Sequence, residues 1–200
     1  EAATRLRRVQ EVALPADTQA SLVEAVLAAA RPQDIPLLLN PRTFTVGTAY
    51  DGAAQARALA RLDALGQDLG LKPTQDVGPA LATLLTTWEI SVQAGAARLI
   101  GRWRITALEA DLIRLMESPE MPQALRAGAI VGLARFPEPA HTGRILKAAG
   151  PKAPTELKST AVIALAGRDL GQACRLAAEV LARDSDPATV EQVLAPILRQ

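Results

Sequence analysis

The amino-acid sequence predicts an all-α protein in which about six helix pairs stack into a solenoid. Three observations lead to this fold class. Hydrophobic residues make up 49% of the 200 residues, aromatic residues make up only 2%, and one apolar pattern returns at intervals of 32 or 33 residues. A core with so few aromatic side chains must be built from Ala, Leu, Val and Ile, which suits closely packed helices better than a sheet.

Four sequence windows carry the repeated pattern and set its register. They are VQAGAARLIGRW from Val92, LRAGAIVGLARF from Leu125, LKSTAVIALAGR from Leu157 and VEQVLAPILRQ from Val190. Their starts lie 33, 32 and 33 residues apart. Apolar residues at positions 1, 5 and 9 of each window trace one face of an α-helix.

Two earlier windows extend the series toward the start of the chain. AQARALARLDAL begins at Ala54 and LVEAVLAAA at Leu22, and the gap between Ala54 and Val92 is stretched. A second apolar stripe lies between successive windows, so each unit is a helix, a tight turn and a second helix that must stack to bury its stripe. We predict one repeat domain over residues 1–200, with units at 1–31, 32–70, 71–105, 106–136, 137–168 and 169–200.

Polar residues and prolines indicate where several of these helices begin. Ser118 and Asp186 each precede a proline, which is the pattern of an N-cap followed by proline at the first helical position. Asp17 and Asp51 are further cap candidates. Pro196 lies inside the last predicted helix, which we expect it to kink or end.

The windows resemble the second helix of HEAT repeats, which carries an apolar–Arg–x–x–Ala pattern before Leu-Gly or Leu-Ala. The resemblance covers essentially the whole chain, is strongest from residue 76 onward, and implies a right-handed α-solenoid. The basic second position is filled by Arg126 and Lys158, whereas Gln93 and Glu191 take it elsewhere. The Ala- and Arg-rich composition also resembles the HEAT segment of larger bacterial multidomain proteins. We therefore expect the chain to be a fragment of a longer protein.

Charge and cysteine content exclude several function classes. The chain carries 22 Lys and Arg against 21 Asp and Glu, so its net charge of +1 makes nucleic acid or an anionic membrane an unlikely main partner. Its single cysteine, Cys174, can form neither an intramolecular disulfide nor a cysteine-based zinc site. No apolar run approaches the roughly 18 residues of a membrane span, and no signal peptide is recognisable, so we expect no membrane insertion. Both cytoplasm and periplasm stay open as compartments.

The sequence contains no arrangement typical of a catalytic or cofactor site. With one histidine, no cysteine cluster and no Asp-rich loop, we expect no ligand set for a metal ion. Glu109 and Asp111 are two residues apart on a helix and point away from each other. His141 and Cys174 lie one repeat apart, on helices about 8–10 Å from each other, so proton transfer between them is not expected. Cys174 also lies on an apolar stripe and is predicted to be buried.

Two tryptophans flank the third window. Trp103 takes the twelfth window position, where Phe136 stands in the next unit, so Trp88 and Trp103 are predicted to lie in the core between repeats. An aromatic platform between Arg102 and Arg104 that recognises a base or a cation is the alternative interpretation.

Two regions are candidates for binding a partner. The stretch NPRTFTVGTAY, residues 40–50, breaks the helical pattern and holds Phe44 and Tyr50. It is either a loop folded back over its own repeat or a partner-binding loop with these residues as anchors. The inner face of the window helices is either a solvated face or a polar concave groove for a peptide or a folded domain. Its candidate residues are Glu89, Gln93, Arg126, Arg135, Lys158 and Glu191.

These observations predict a non-catalytic protein-binding scaffold or interdomain spacer, without cofactor or metal, whose partner is a protein. Two other function classes stay open. HEAT-like DNA glycosylases bind nucleic acid with aromatic residues and an acid, and such a role would require a basic face. A HEAT-like lyase or chaperone would act on a protein that bears a chromophore or metallocentre.

Overall fold

The all-α class predicted from composition and periodicity is confirmed. The computed structural model describes residues 16–29, 31–46, 48–184 and 186–199 of the chain. Helices account for most of these residues, and the strands among them are two short segments, β1 (Thr45–Val46) and β2 (Ala49–Tyr50). The two strands pair antiparallel, with Thr45 opposite Tyr50.

Eleven α-helices follow one another along the described residues. They are α1 (Ala16–Ala29), α2 (Ile35–Leu39), α3 (Gly52–Asp68), α4 (Gly78–Leu84), α5 (Ile90–Trp103), α6 (Glu109–Glu117), α7 (Gln123–Leu133), α8 (Ala140–Ala148), α9 (Thr155–Ala166), α10 (Leu170–Leu181) and α11 (Pro187–Leu198). Three 3-10 turns lie at Pro32–Asp34, Pro41–Phe44 and Thr106–Leu108. The six sequence windows lie on the odd-numbered helices, and the shorter helices α2, α4, α6 and α8, together with α10, separate them.

The apolar positions of the windows from Val92, Leu125 and Leu157 are buried, as their helical spacing predicts. At the fifth position Ala96, Ala129 and Ala161 have no exposed surface. The ninth position is equally buried in α5, α7 and α9. The last window departs from this pattern, because α11 leaves Leu198 80% exposed.

The chain divides into two compact units, an N-terminal unit of residues 1–108 and a C-terminal unit of residues 109–200. Their boundary lies close to the predicted boundary between residues 105 and 106. The division into six repeat units within one domain stays a prediction.

In the N-terminal unit, the main packing partner of α5 is α3. The two helices approach closely at Gly95, where an added Cβ would lie 3.0 Å from Cβ of Leu59. Arg102 of α5 also reaches α3, since its Nε donates a hydrogen bond to Asp63 at 2.8 Å and its Nη2 donates to Gln67 at 2.8 Å. The shorter helices α2 and α4 pack against the window helices that follow them.

In the C-terminal unit, α7, α9 and α11 pack successively on one another. The intervening helices add a second row, because α6 packs on both α7 and α8 while α10 packs on both α9 and α11. Glu117 of α6 and Arg144 of α8 form an ion pair at 2.7 Å across this row. Each described helix of this unit therefore buries its apolar stripe mainly against helices close to it in the sequence.

The helix starts confirm some of the cap predictions and correct one of them. The side chain of Asp51 accepts from the backbone N–H of Ala54, and that of Asp186 accepts from Ala188, so both are N-caps. The prediction for Ser118 was wrong, because its backbone N–H still belongs to the end of α6 and α7 begins only at Gln123. The predicted cap at Asp17 lies within α1, and its side chain is outside the described residues.

Pro196 lies inside α11, which continues to Leu198. The expected end of the helix at this proline is therefore not found. In the described residues, no helix is both long and apolar enough to cross a bilayer.

The close approach of α3 and α5 leads to a test with a matched control. Gly95→Ala places a methyl group against the fully buried Leu59 and should lower the free energy of unfolding by about 1 kcal/mol. Gly143→Ala in α8 places its methyl group in open space and should raise the free energy of unfolding by about 0.5–1 kcal/mol. Urea unfolding followed by circular dichroism measures both changes. Equal stabilisation by both substitutions would contradict the tight α3–α5 contact.

Candidate functional site

The N-terminal unit presents a surface formed by Tyr50, Trp88 and Glu89, which we name the aromatic surface. Trp88 is 77% exposed, and its ring meets the ring of Tyr50 edge-on with the centroids 6.2 Å apart. The prediction that Trp88 lies in the core was therefore wrong. Trp88 lies in the turn between α4 and α5, where helical periodicity does not determine the direction of a side chain.

The segment of residues 40–50 holds Tyr50 in place by folding back on its own unit. Phe44 is only 3% exposed and belongs to the core. The hydroxyl of Thr43 donates to the carbonyl oxygen of Leu37 at 2.6 Å, and the backbone N–H of Asp51 donates to the carbonyl oxygen of Phe44 at 2.8 Å. Phe44 therefore fits the interpretation of a loop folded back over its own repeat, whereas Tyr50 remains half-exposed.

The hydroxyl of Tyr50 is fixed by a short chain of hydrogen bonds. It donates to Oε1 of Gln55, whose Nε2 donates in turn to the carbonyl oxygen of Leu39 at 3.2 Å. Partial burial raises the pKa of Tyr50 above its usual value, and the nearby carboxylates of Glu89 and Asp51 raise it further. The phenol therefore stays protonated at physiological pH, beside two negative charges.

Glycine at position 52 leaves room for the side chains of Glu89 and Tyr50, which both pack against the start of α3. An added Cβ on Gly52 would lie 2.7 Å from Cγ of Glu89 and 3.1 Å from Cε1 of Tyr50. Glu89 immediately precedes α5, and its Oε1 accepts from the hydroxyl of Ser91 at 2.9 Å. Two of the predicted partner-binding residues, Tyr50 and Glu89, thus lie together with Trp88.

Gln93, also predicted to contact a partner, is half-buried and stabilises the turn that carries Trp88. Its Nε2 donates a hydrogen bond to the carbonyl oxygen of Thr87. Because Thr87 directly precedes Trp88, this bond restricts the backbone from which the exposed indole projects. Gln93 thus contributes to the aromatic surface indirectly, by holding the turn that carries Trp88.

The predicted candidates of the C-terminal unit do not form one exposed face. Arg126 is half-buried and donates from Nε to the carbonyl oxygen of Met116 at 3.1 Å, Arg135 is half-buried, and Glu191 is exposed. Lys158 is 1% exposed, so it does not offer its ammonium group at the surface. Arg126 lines an open hollow of about 440 Å³ whose other cationic side chains are Lys147 and Lys152.

The remaining tryptophan confirms the prediction of a core position. Trp103 is 9% exposed, and its indole N–H donates to the carbonyl oxygen of Leu71 at 3.0 Å. Arg102 beside it is engaged with α3. An aromatic platform at Trp103 would need an exposed ring, and the ring of Trp103 is buried.

A cluster of Glu109, Glu138 and His141 lies in the C-terminal unit. Nε2 of His141 lies 3.1 Å from Oε1 of Glu109 and 3.3 Å from Oε2 of Glu138. The sequence analysis expected no such ligand set. Two signals were present in the sequence: Glu138 lies three residues before His141 at the start of a predicted helix, and Glu109 precedes His141 by one repeat of 32 residues.

Cys174 lies outside this cluster and is exposed. The prediction that it is buried was therefore wrong. The apolar stripe of α10 is formed by Ala173, Leu176, Ala177 and Val180, and Cys174 lies beside it on the solvent side.

Comparison with known proteins identifies no relative: no family model, no curated protein and no solved structure matches the chain significantly. The resemblance to HEAT repeats therefore stays a prediction.

The burial of Lys158 leads to a stability prediction. Within the described part of the chain its ammonium nitrogen has no hydrogen-bond partner, and the nearest carboxylate oxygen, on the largely exposed Glu179, is 3.8 Å away. Lys158→Met should raise the free energy of unfolding by about 1–2 kcal/mol, because it removes a desolvated charge that gains little in return. Lys152→Met, at an exposed position, should change it by less than about 0.5 kcal/mol. Urea unfolding measures both, and destabilisation by Lys158→Met would mean that the pair with Glu179 stabilises the fold.

Proposed function

We propose that the chain is a non-catalytic protein-binding scaffold built from HEAT-like helix pairs, and that its protein partner docks on the aromatic surface. The observation that carries this proposal is the 77% exposure of Trp88 beside Tyr50. Exposed aromatic side chains held on a rigid helical support are the side chains from which binding hot spots are most often built.

Energetics favour a partner that covers Trp88. An aromatic side chain buries on the order of 150–250 Å² when it is enclosed, and most of the Trp88 ring is open to solvent. At about 25 cal/mol per Å², covering a large part of that area supplies a few kcal/mol of binding free energy. The hydrogen bond from Gln93 and the contact with Tyr50 also reduce the ordering cost of binding.

Charge indicates which chemistry the partner brings. Glu89 and Asp51 lie close enough to Tyr50 to raise its pKa, so the rim of the aromatic surface is negative. An arginine or lysine of the partner can stack on the face of Trp88 and pair with Glu89. A nucleic-acid phosphate would be repelled at the same place, which favours a protein partner over nucleic acid.

The proposed architecture is a right-handed solenoid of six HEAT-like pairs. Support comes from the two units taken separately: α3 packs on α5 in the N-terminal unit, and α7, α9 and α11 pack successively in the C-terminal unit. The fully buried alanines at the fifth window position suit closely stacked repeat helices. Such an array offers an extended surface instead of an enclosed cleft, and this suits a scaffold or a spacer between domains.

Truncation of Trp88 is the direct test of the docking surface. Proteins captured by the wild-type chain from extracts of its own cells are identified, and their affinities are measured with purified components by calorimetry. Trp88→Ala should weaken binding by at least about thirty-fold, as expected for a hot-spot residue worth about 2 kcal/mol.

The matched control is Leu69→Ala, which removes another large exposed apolar side chain of the same unit, one that is 75% exposed. It should leave the affinity unchanged. A partner that binds the Trp88→Ala and wild-type chains equally well would exclude the aromatic surface as the docking site.

Small-angle X-ray scattering tests the architecture independently. A single compact domain of this length has a radius of gyration of about 16–17 Å. A stack of six helix pairs with layers about 8–10 Å apart is roughly 50–60 Å long, so its maximum dimension should exceed the diameter of about 43 Å of a compact sphere with that radius of gyration. A maximum dimension equal to that of the compact sphere would contradict the solenoid without bearing on Trp88.

A further inference from the structure

The cluster of Glu109, Glu138 and His141 contains three potential metal ligands from two neighbouring elements. Glu109 is the first residue of α6, His141 is the second residue of α8, and Glu138 lies just before α8. One ligand atom from each residue lies within 4.8 Å of the other two. Because α6 packs on α8, the set is assembled by tertiary packing and is independent of the aromatic surface.

The two distances that involve Nε2 of His141 match the spacing of ligand atoms around a first-row divalent ion. Ligand atoms bound tetrahedrally at about 2.0–2.1 Å from zinc are separated from one another by about 3.3 Å. The distances from Nε2 of His141 to the two carboxylate oxygens are 3.1 and 3.3 Å. The two carboxylate oxygens lie within 4.8 Å of each other, so a metal ion held by all three atoms requires the carboxylates to approach each other by at most about 1.5 Å.

The imidazole of His141 supplies an independent indication of a ligand. Its side chain is 4% exposed, and within the described part of the chain neither ring nitrogen has a hydrogen-bond partner. Although both carboxylates are close to Nε2, neither meets it with hydrogen-bond geometry. A buried polar atom left in this state costs about 1–3 kcal/mol, and coordination of a metal by Nε2 would recover part of that cost.

The neighbouring residues hold the cluster in position. The ring of Phe136 meets the imidazole edge-on at 6.3 Å and shields it from solvent. The guanidinium of Arg168 donates to the backbone carbonyl oxygens of Phe136 and Glu138, and through Nε to the hydroxyl of Thr142 at 2.9 Å. The segment that carries Glu138 is thereby fixed relative to α8.

We propose that Glu109, Glu138 and His141 form a binding site for a divalent transition-metal ion of the zinc type. A set of two hard carboxylates and one borderline imidazole suits Zn²⁺, Co²⁺ or Mn²⁺. Ca²⁺ and Mg²⁺ prefer sets made of oxygen alone, so the imidazole disfavours them. The two carboxylates balance the charge of the ion, and the bound ion links α6 to the start of α8.

The expected affinity is moderate. Histidines in tight metal sites donate their second ring N–H to a carboxylate or carbonyl, which typically contributes ten- to a hundred-fold in affinity. Within the described residues Nδ1 of His141 makes no such hydrogen bond. We therefore expect binding in the micromolar range, with a fourth position open to water.

The test is a zinc titration of the 200-residue chain without a histidine tag. Because the chain contains one histidine, the nitrogen resonances of its ring report on His141 alone. All proteins carry Cys174→Ser, so that the exposed thiol cannot bind the ion. We expect a one-to-one complex by calorimetry, a shift of the Nε2 resonance, a raised melting temperature, and with Co²⁺ the absorption of a low-coordinate site.

Conservative variants separate this site from any other. Glu109→Gln and Glu138→Gln should each weaken zinc binding at least about ten-fold. Glu120→Gln, an exposed acid in the same unit, should leave it unchanged, and circular dichroism checks that all variants fold. The proposal is overturned if the His141 resonances do not move at millimolar zinc, or if both glutamine variants bind as tightly as the parent. Neither result bears on the docking of a partner at Trp88.

Discussion

Each helix of this chain carries an apolar stripe that a neighbouring helix must cover, and this requirement shapes the rest of the structure. With few aromatic side chains available, the stripes are built from small and aliphatic residues. Ala96, Ala129 and Ala161 have no exposed surface, and Gly95 brings α5 directly against Leu59. Backbones that approach so closely leave little space for rearrangement, so the helices form a firm support for the turns between them.

The same packing brings together polar residues that are about one repeat apart in the sequence. His141 meets Glu109, Arg144 meets Glu117, and Arg102 meets Asp63. The sequence analysis applied the spacing of helix axes to His141 and Cys174 alone and did not predict these three pairs. Long side chains extend several ångströms from an axis, so two that face each other can span the distance between neighbouring helices. The proposed metal site depends on side chains that are long enough to meet between α6 and the start of α8.

Periodicity predicted the buried faces well and the turns poorly. The positions with helical spacing in α5, α7 and α9 are buried as expected, since a regular helix determines which side chains share a face. Trp88 lies in a turn, where its direction depends on local hydrogen bonds such as that of Gln93. Cys174 lies at the edge of a stripe, where a small rotation of α10 decides whether it is covered. Lys158 is buried although its charge argues for exposure, so packing overrides residue type there.

The placement of Trp88 in a turn has an evolutionary consequence. Its side chain contributes little to the interior, so substitutions there would alter the proposed docking surface at small cost to folding. Tyr50 is different, since it belongs to a segment tied to the interior through Phe44 and Gln55. Under the proposed docking function, specificity would diversify at the tryptophan while the tyrosine stays constant, and related chains with different partners should vary first in the α4–α5 connection.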